Sequence, residues 1–200
     1  MRISDDRYSR DRLRLDLALR FIRHDARTQT IRRWTGLSED RVRKLFRSYS
    51  DCPEAGPSPR PRGRSPRQSS FFTRTPRLRQ EAALIASLCS LLGALPLRRE
   101  PRGGGPQHGF AEGLALCEAY EAYRAFVPTA HISFEHMVCL FTALSRGDEL
   151  RLATCAGCGA LVITERMALK DARCLSCAEP AEKSAARTGD AKGCRNADNA

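Results

Sequence analysis

Aromatic residues are scarce in this chain of 200 residues: 8 Phe, 4 Tyr and a single Trp, none of them interleaved with its Arg-rich proline stretch. Single-strand nucleic-acid platforms stack unpaired bases on such interleaved rings, so that mode of binding is disfavoured. Long apolar runs are also missing, and nothing approaches the roughly eighteen consecutive apolar residues of a membrane span. The opening Met1-Arg2-Ile3-Ser4-Asp5-Asp6-Arg7 is charged where a secretory signal needs an apolar segment. A soluble cytoplasmic protein with no membrane role is expected. No Ser/His/Asp set, paired carboxylate or phosphate-loop signature stands out, so neither an enzyme nor a small-molecule substrate is predicted.

An apolar fraction of 42% suffices to bury a core. Lysine is nearly absent, with 30 of the 34 basic residues being Arg. Their placement is uneven: residues 1–79 hold 21 Arg plus Lys against 9 Asp plus Glu, whereas residues 80–200 hold 13 against 14. A preference for Arg codons would favour Arg over Lys, but it would not stop near residue 79. The asymmetry marks the N-terminal region as a binder of polyanions, whose condensed counterions are released on contact.

The 9 cysteines would suggest a disulfide framework in a small secreted chain, but with no signal sequence expected the cytosol keeps thiols reduced, and metal binding better accounts for the clustered ones. Cys155-Ala-Gly-Cys158 and Cys174-Leu-Ser-Cys177 form two C-x2-C pairs separated by fifteen residues, the pattern of a four-thiolate metal site. One structural zinc ion is the leading reading. A rubredoxin-like iron cage is the alternative, and a thioredoxin-like redox pair lacks its βαβ setting. Cysteine-to-serine change at any of the four is expected to unfold residues 150–180. Cys89, Cys117 and Cys139 lie in apolar helical runs and read as buried small hydrophobes. Cys52 and Cys194 receive no role, and His24, His108, His131 and His136 stand at no ligand spacing from the quartet.

Periodicity predicts a mainly α fold. Helices are expected over 9–25, 28–34, 38–49, 80–95, 110–126 and 133–145, with one strand at 161–164. The organisation follows: a helix-turn-helix-like basic region at 1–50, a Pro/Arg-rich linker at 51–77, a helical core at 78–148, a zinc-ribbon-like four-cysteine segment at 149–180 and a disordered tail at 181–200. Ser38 and Ser133 are expected N-caps, and Gly159 is expected at positive φ.

Ile31, Leu37, Val42 and Leu45 supply the facing positions of a helix-turn-helix, and Gly36 its turn. Arg41, Arg43, Lys44 and Arg47 would then be the residues able to reach phosphates or guanine edges, with Arg27 and Arg33 flanking the DNA backbone. A plain three-helix packing unit with a solvated basic face is the alternative, and Glu39 and Asp40 weigh towards it unless they serve the helix dipole. Arg151, Arg166, Lys170 and Arg173 could add a minor phosphate contact.

The order of parts, from Ala26-Arg27-Thr28-Gln29-Thr30-Ile31 and Leu37-Ser38-Glu39-Asp40-Arg41-Val42-Arg43-Lys44-Leu45 through a proline-containing linker and helices to the C-x2-C pairs, resembles the FlhC family of flagellar transcriptional activators. That resemblance covers roughly residues 10–180. It implies a helical DNA-binding activator subunit with a four-cysteine zinc site, acting on duplex DNA in a hetero-oligomer with an FlhD-type subunit at flagellar operons. A richer Arg/Pro linker and a small polar tail leave open an FlhC-like regulator of other genes. From a different class, a zinc-stabilised interaction module could use the basic arm to bind RNA or acidic proteins.

Overall fold

Apolar residues recurring every three to four positions near the N-terminus place one side of a helix against everything that follows. The computed structural model describes residues 2–50, 61, 63, 65–95, 109–169 and 172–178, with side chains in the first helix from residue 8 onward. Helix α1 spans Arg2–Arg23 and buries Leu17, Ala18, Phe21 and Ile22. It begins seven residues before the predicted start, in a polar segment with no apolar stripe from which to read a helix. Leu13, one of the apolar residues of this helix, stays 46% exposed, because α1 is buried only over its second half.

Asp25 ends the helix in a left-handed conformation (φ 56°), with the Ala26 N–H returning to the Phe21 carbonyl at 3.0 Å. Helix α2 covers Thr28–Thr35 and α3 covers Glu39–Ser50, within about one residue of the predicted bounds. Gly36 turns the chain between them at φ 70°, and its N–H closes on the Arg32 carbonyl at 2.9 Å. Ile31, Leu37, Val42 and Phe46 are buried at the junction.

The predicted linker is shorter than 51–77. Residues 51–60, 62 and 64 lie outside the described residues, but Ser69–Thr73 form a 3-10 turn and helix α4 already starts at Pro76. Phe72 is fully buried there, so an apolar anchor overrides the polar composition around it. Proline at the first turn fits a helix start, and the Thr75 hydroxyl caps it by accepting from Leu78 N–H at 3.2 Å. Helix α4, Pro76–Leu91, also stops earlier than predicted. The Ala94 and Leu95 N–H groups both turn back to the Cys89 carbonyl.

Helices α5, Phe110–Phe126, and α6, Phe134–Arg146, match their predicted positions, and Ser133 caps α6 as expected. Gly113 lets α5 approach α1 and α2 closely: a Cβ there would sit 2.9 Å from Leu17 Cδ2 and 3.2 Å from Trp34 Cε3. Phe21 lies edge-on to both Trp34 and Phe134, and Trp34 meets Phe141, so α1, α2 and α6 share one aromatic cluster. The N-terminal helices and the central helices therefore bury a common core. Within it Glu81 of α4 is buried but accepts from Tyr123 Oη, His131 N–H at 3.0 Å and Arg77 Nε at 3.1 Å, which ties the α5–α6 connection to α4.

After α6 the chain forms an antiparallel hairpin, β1 Leu150–Thr154 and β2 Leu161–Glu165, in register Leu150↔Glu165 to Thr154↔Leu161. Sequence patterning predicts only β2. Leu150 at the hairpin base and Ile163 midway along β2 are buried in the helical core, and the hairpin tip carries the first cysteine pair. A short helix α7, Leu175–Ala178, follows. Among the described residues no helix is long and apolar enough to cross a membrane. Among the described residues the fold is mainly α, with one small sheet next to the four cysteines. The tail at 181–200, Cys52, Cys194, His108 and Lys170 lie outside the described residues.

Candidate functional site

The hairpin delivers the first cysteine pair because its strands stop short of the turn. Cys155 follows directly on β1, its N–H held by the Ala160 carbonyl at 2.8 Å and its carbonyl accepting from Gly159 N–H at 2.9 Å. Gly159 adopts φ 72°, as expected, and the turn brings Cys158 back beside Cys155. The second pair sits at the start of α7, where Ala156 N–H reaches the Ala172 carbonyl at 2.9 Å and stitches the two halves together.

All four sulfurs, Cys155, Cys158, Cys174 and Cys177, lie within 4.8 Å of one another, and Cys158 and Cys174 are 3.6 Å apart. A tetrahedron of bonds near 2.3 Å has sulfur–sulfur edges of about 3.8 Å, so the arrangement can hold one metal ion with little movement. Close packing at the centre depends on Gly157. A Cβ on it would stand 3.0 Å from Cys177 Sγ and 3.1 Å from Cys177 Cβ.

Backbone donors prepare the anionic form of one ligand. N–H groups of Cys174 and Cys158, then Gly157, outweigh burial and bring the Cys155 thiol down to about 6. Hydrogen bonding to Cys174, Cys158 and Cys155 pushes Cys177 up to about 12, since gathered thiols resist a second and third negative charge. A cation removes that conflict. Cys89 and Cys117, by contrast, are buried and pushed up to about 12 by that burial, which suits the packing role expected of them. Cys139 is only half-buried.

The predicted DNA-contact residues separate into three kinds. Arg41, Lys44 and Arg47 are exposed on the face of α3 opposite Val42 and Phe46, with no ion pair among the described residues. Arg43 is engaged by Glu39 and, at 3.7 Å, by Asp40, the two acids of the first turn. Arg33 is exposed on α2, whereas Arg27 is half-buried and its N–H donates to Glu135 Oε1 at 2.8 Å. Arg27 is thus turned into the body of the molecule by its position at the N-cap of α2. Arg32 is exposed and lies 3.7 Å from Glu39.

Of the basic residues in the C-terminal segment, Arg151 and Arg173 are exposed near the hairpin, and Arg166 donates to the Gly147 carbonyl at 2.9 Å. His24 bonds Glu121, His131 bonds Glu81 and His136 stacks on Phe71, so the described histidines have partners away from the sulfurs. No sequence motif singles out Glu81 or Glu135, yet both are buried carboxylates. The available signal for Glu135 is its place in the first turn after a serine cap; that for Glu81 is an acid inside an otherwise apolar helical run. The chain matches no protein-family model, and no curated protein matches it significantly.

Proposed function

We propose that the chain regulates transcription by binding duplex DNA, as an FlhC-like activator subunit working with an FlhD-type partner. The observation that carries this reading is the exposed triplet Arg41, Lys44 and Arg47 on one side of α3, free of acidic partners among the described residues. Spaced three residues apart, the triplet lines a single helical face of the width that enters a major groove. Arg43 is assigned a structural part instead, because Glu39 and Asp40 already neutralise it. Those acids complement the N-terminal dipole of α3.

The metal is proposed to be zinc. Four thiolates favour it, and a closed four-coordinate site leaves no position for water, so the ion holds structure and takes no part in chemistry. Iron suits the same donors. Metal analysis of the purified protein separates the two, and an iron tetrathiolate would also colour it.

Duplex binding is tested by fluorescence anisotropy of a labelled promoter fragment across a salt series. Wild-type protein is expected to give a steep fall of log K with log salt. Arg41→Ala/Lys44→Ala/Arg47→Ala is expected to flatten the slope by about 2.7, roughly 0.9 for each phosphate no longer neutralised. Equal affinity for duplex promoter and unrelated single-stranded RNA would instead support an interaction module that binds RNA or acidic proteins. Flagellar as against other target genes is decided by which operon fragments compete.

A further inference from the structure

In a chain that is 28% charged, the run from Gln80 to Leu95 holds one charged residue, Glu81, and that side chain is buried. Glu81, Ala82, Ile85, Ala86 and Cys89 form the buried side of α4, so its outward side is left without any charge over three turns. On that side Gln80, Leu84, Ser87 and Leu91 recur at intervals of four, three and four, the spacing of a coiled-coil seam. Leu91 is 83% exposed, Gln80 is exposed, and Leu84 and Ser87 are half-buried. The serines here already have partners within the helix: Ser87 Oγ donates to the Ala83 carbonyl and Ser90 Oγ to the Ala86 carbonyl, both at 2.9 Å.

An outward helix face of this composition is one that another helix covers. Residues 51–60, 96–108 and 179–200 contain a single large apolar side chain, Leu97, so these stretches have no apolar stripe to lay on it. A second copy of α4 has one. Run antiparallel about a two-fold axis level with residues 85 and 86, Leu84 meets Ser87 of the second copy, Leu88 meets Ala83 and Leu91 meets Gln80. Each layer then sets a leucine against a smaller or more flexible side chain. Charge fixes the same direction. The last turn of α4 has no basic residue, and antiparallel pairing brings the exposed Arg79 of each copy to the C-terminal carbonyl end of the other. Arg79 uses one donor on the Thr73 carbonyl at 3.1 Å and keeps its others. Parallel pairing would set Arg79 against Arg79 and Ser87 against Ser87.

We propose that the chain forms a two-fold homodimer through the outward face of α4, the two copies of the helix lying antiparallel. The dimer does not depend on the DNA reading, since the α3 triplet lies on a different element. A single pair of 16-residue helices is a small interface, so the association is reversible, with a Kd on the order of 10–100 μM.

Sedimentation equilibrium of the full-length chain over a concentration series tests it. Wild-type protein should pass from monomer to dimer. Leu91→Glu should weaken the dimer about tenfold or more, because it takes a carboxylate into an apolar seam. Adding Gln80→Lys to the same chain should recover most of that loss, since position 80 faces position 91 of the other copy, whereas within one helix the two are roughly 16 Å apart. Both positions are exposed, so neither change threatens the fold. A monomer at every concentration, as expected if the face receives a different subunit, would overturn the proposal. So would a dimer indifferent to Leu91→Glu, or no recovery with Gln80→Lys.

Discussion

Gly157 shows how narrowly a single residue constrains the cysteine cluster. With only 3.0 Å available between a Cβ at that position and Cys177 Sγ, Gly157→Ala is expected to lower metal affinity about 10–100-fold, the usual cost of disturbing the shell behind a ligand. Competition with a chromophoric chelator measures it. Glu81 gives a second prediction at this scale. Burial pushes its carboxyl up, but donation from Tyr123, His131 and Arg77 prevails and holds it down to about 2. A folded-state pKa below the ordinary 4.5 means the stabilisation is complete above pH of about 4.5 and is lost as pH falls towards 2. Glu81→Gln should cost about 1–3 kcal/mol at neutral pH and flatten the acid limb of a stability-versus-pH series. The cysteine quartet was legible in the sequence because ligand spacing is local within each pair. Glu81 was not, since Tyr123 and His131 come from 42 and 50 residues away.

Secondary-structure elements divide in the same way. Helices α2, α3, α5 and α6 were legible because their apolar positions recur with helical period and serine or glycine marks their ends. Strand β1 has only Leu150 fully buried, with Leu152 and Ala153 half-buried, and its five residues carry too little alternation to stand out beside α6. The 3-10 turn at Ser69–Thr73 escaped for another reason: a single buried Phe72 decides it, inside a stretch whose prolines and arginines suggest an extended chain. This anatomy sharpens what metal removal should do. Leu150 at the hairpin base and Ile163 midway along β2 anchor the hairpin in the helical core, so a metal held by the four cysteines is expected to order residues 155–160 and 172–178 and to matter little to the base and the helices. Hydrogen exchange after chelation should show reduced protection at the tip and α7 and unchanged protection in α5 and α6. Reduced protection throughout the chain would place the metal in the global fold instead. At the other end of the molecule, Gly36 at φ 70° fixes the α2–α3 turn, and Gly36→Val is expected to cost about 1–2 kcal/mol in thermal unfolding.

Across the whole molecule, the excess of basic residues in 1–79 is carried on a body whose N-terminal and central helices share one core. A basic face on α3 is therefore presented by a body it shares a core with, and the four cysteines lie on the hairpin tip that follows α6 and at α7. The charge asymmetry was visible in the sequence, but the difference between Arg43, held by Glu39 and Asp40, and the open triplet beside it required the packed helix. Under the proposed function, binding should track duplex structure and salt, not single-stranded bases. The measurement that tests this most directly is capture of the native complex from its own cells, with bound nucleic acid sequenced and co-purifying protein identified. The account predicts duplex fragments sharing one recurrent site together with a stoichiometric second subunit; Arg41→Ala/Lys44→Ala/Arg47→Ala should abolish recovery of the DNA and leave the second subunit bound. Recovery of RNA, or of duplex without any recurrent site, would contradict it.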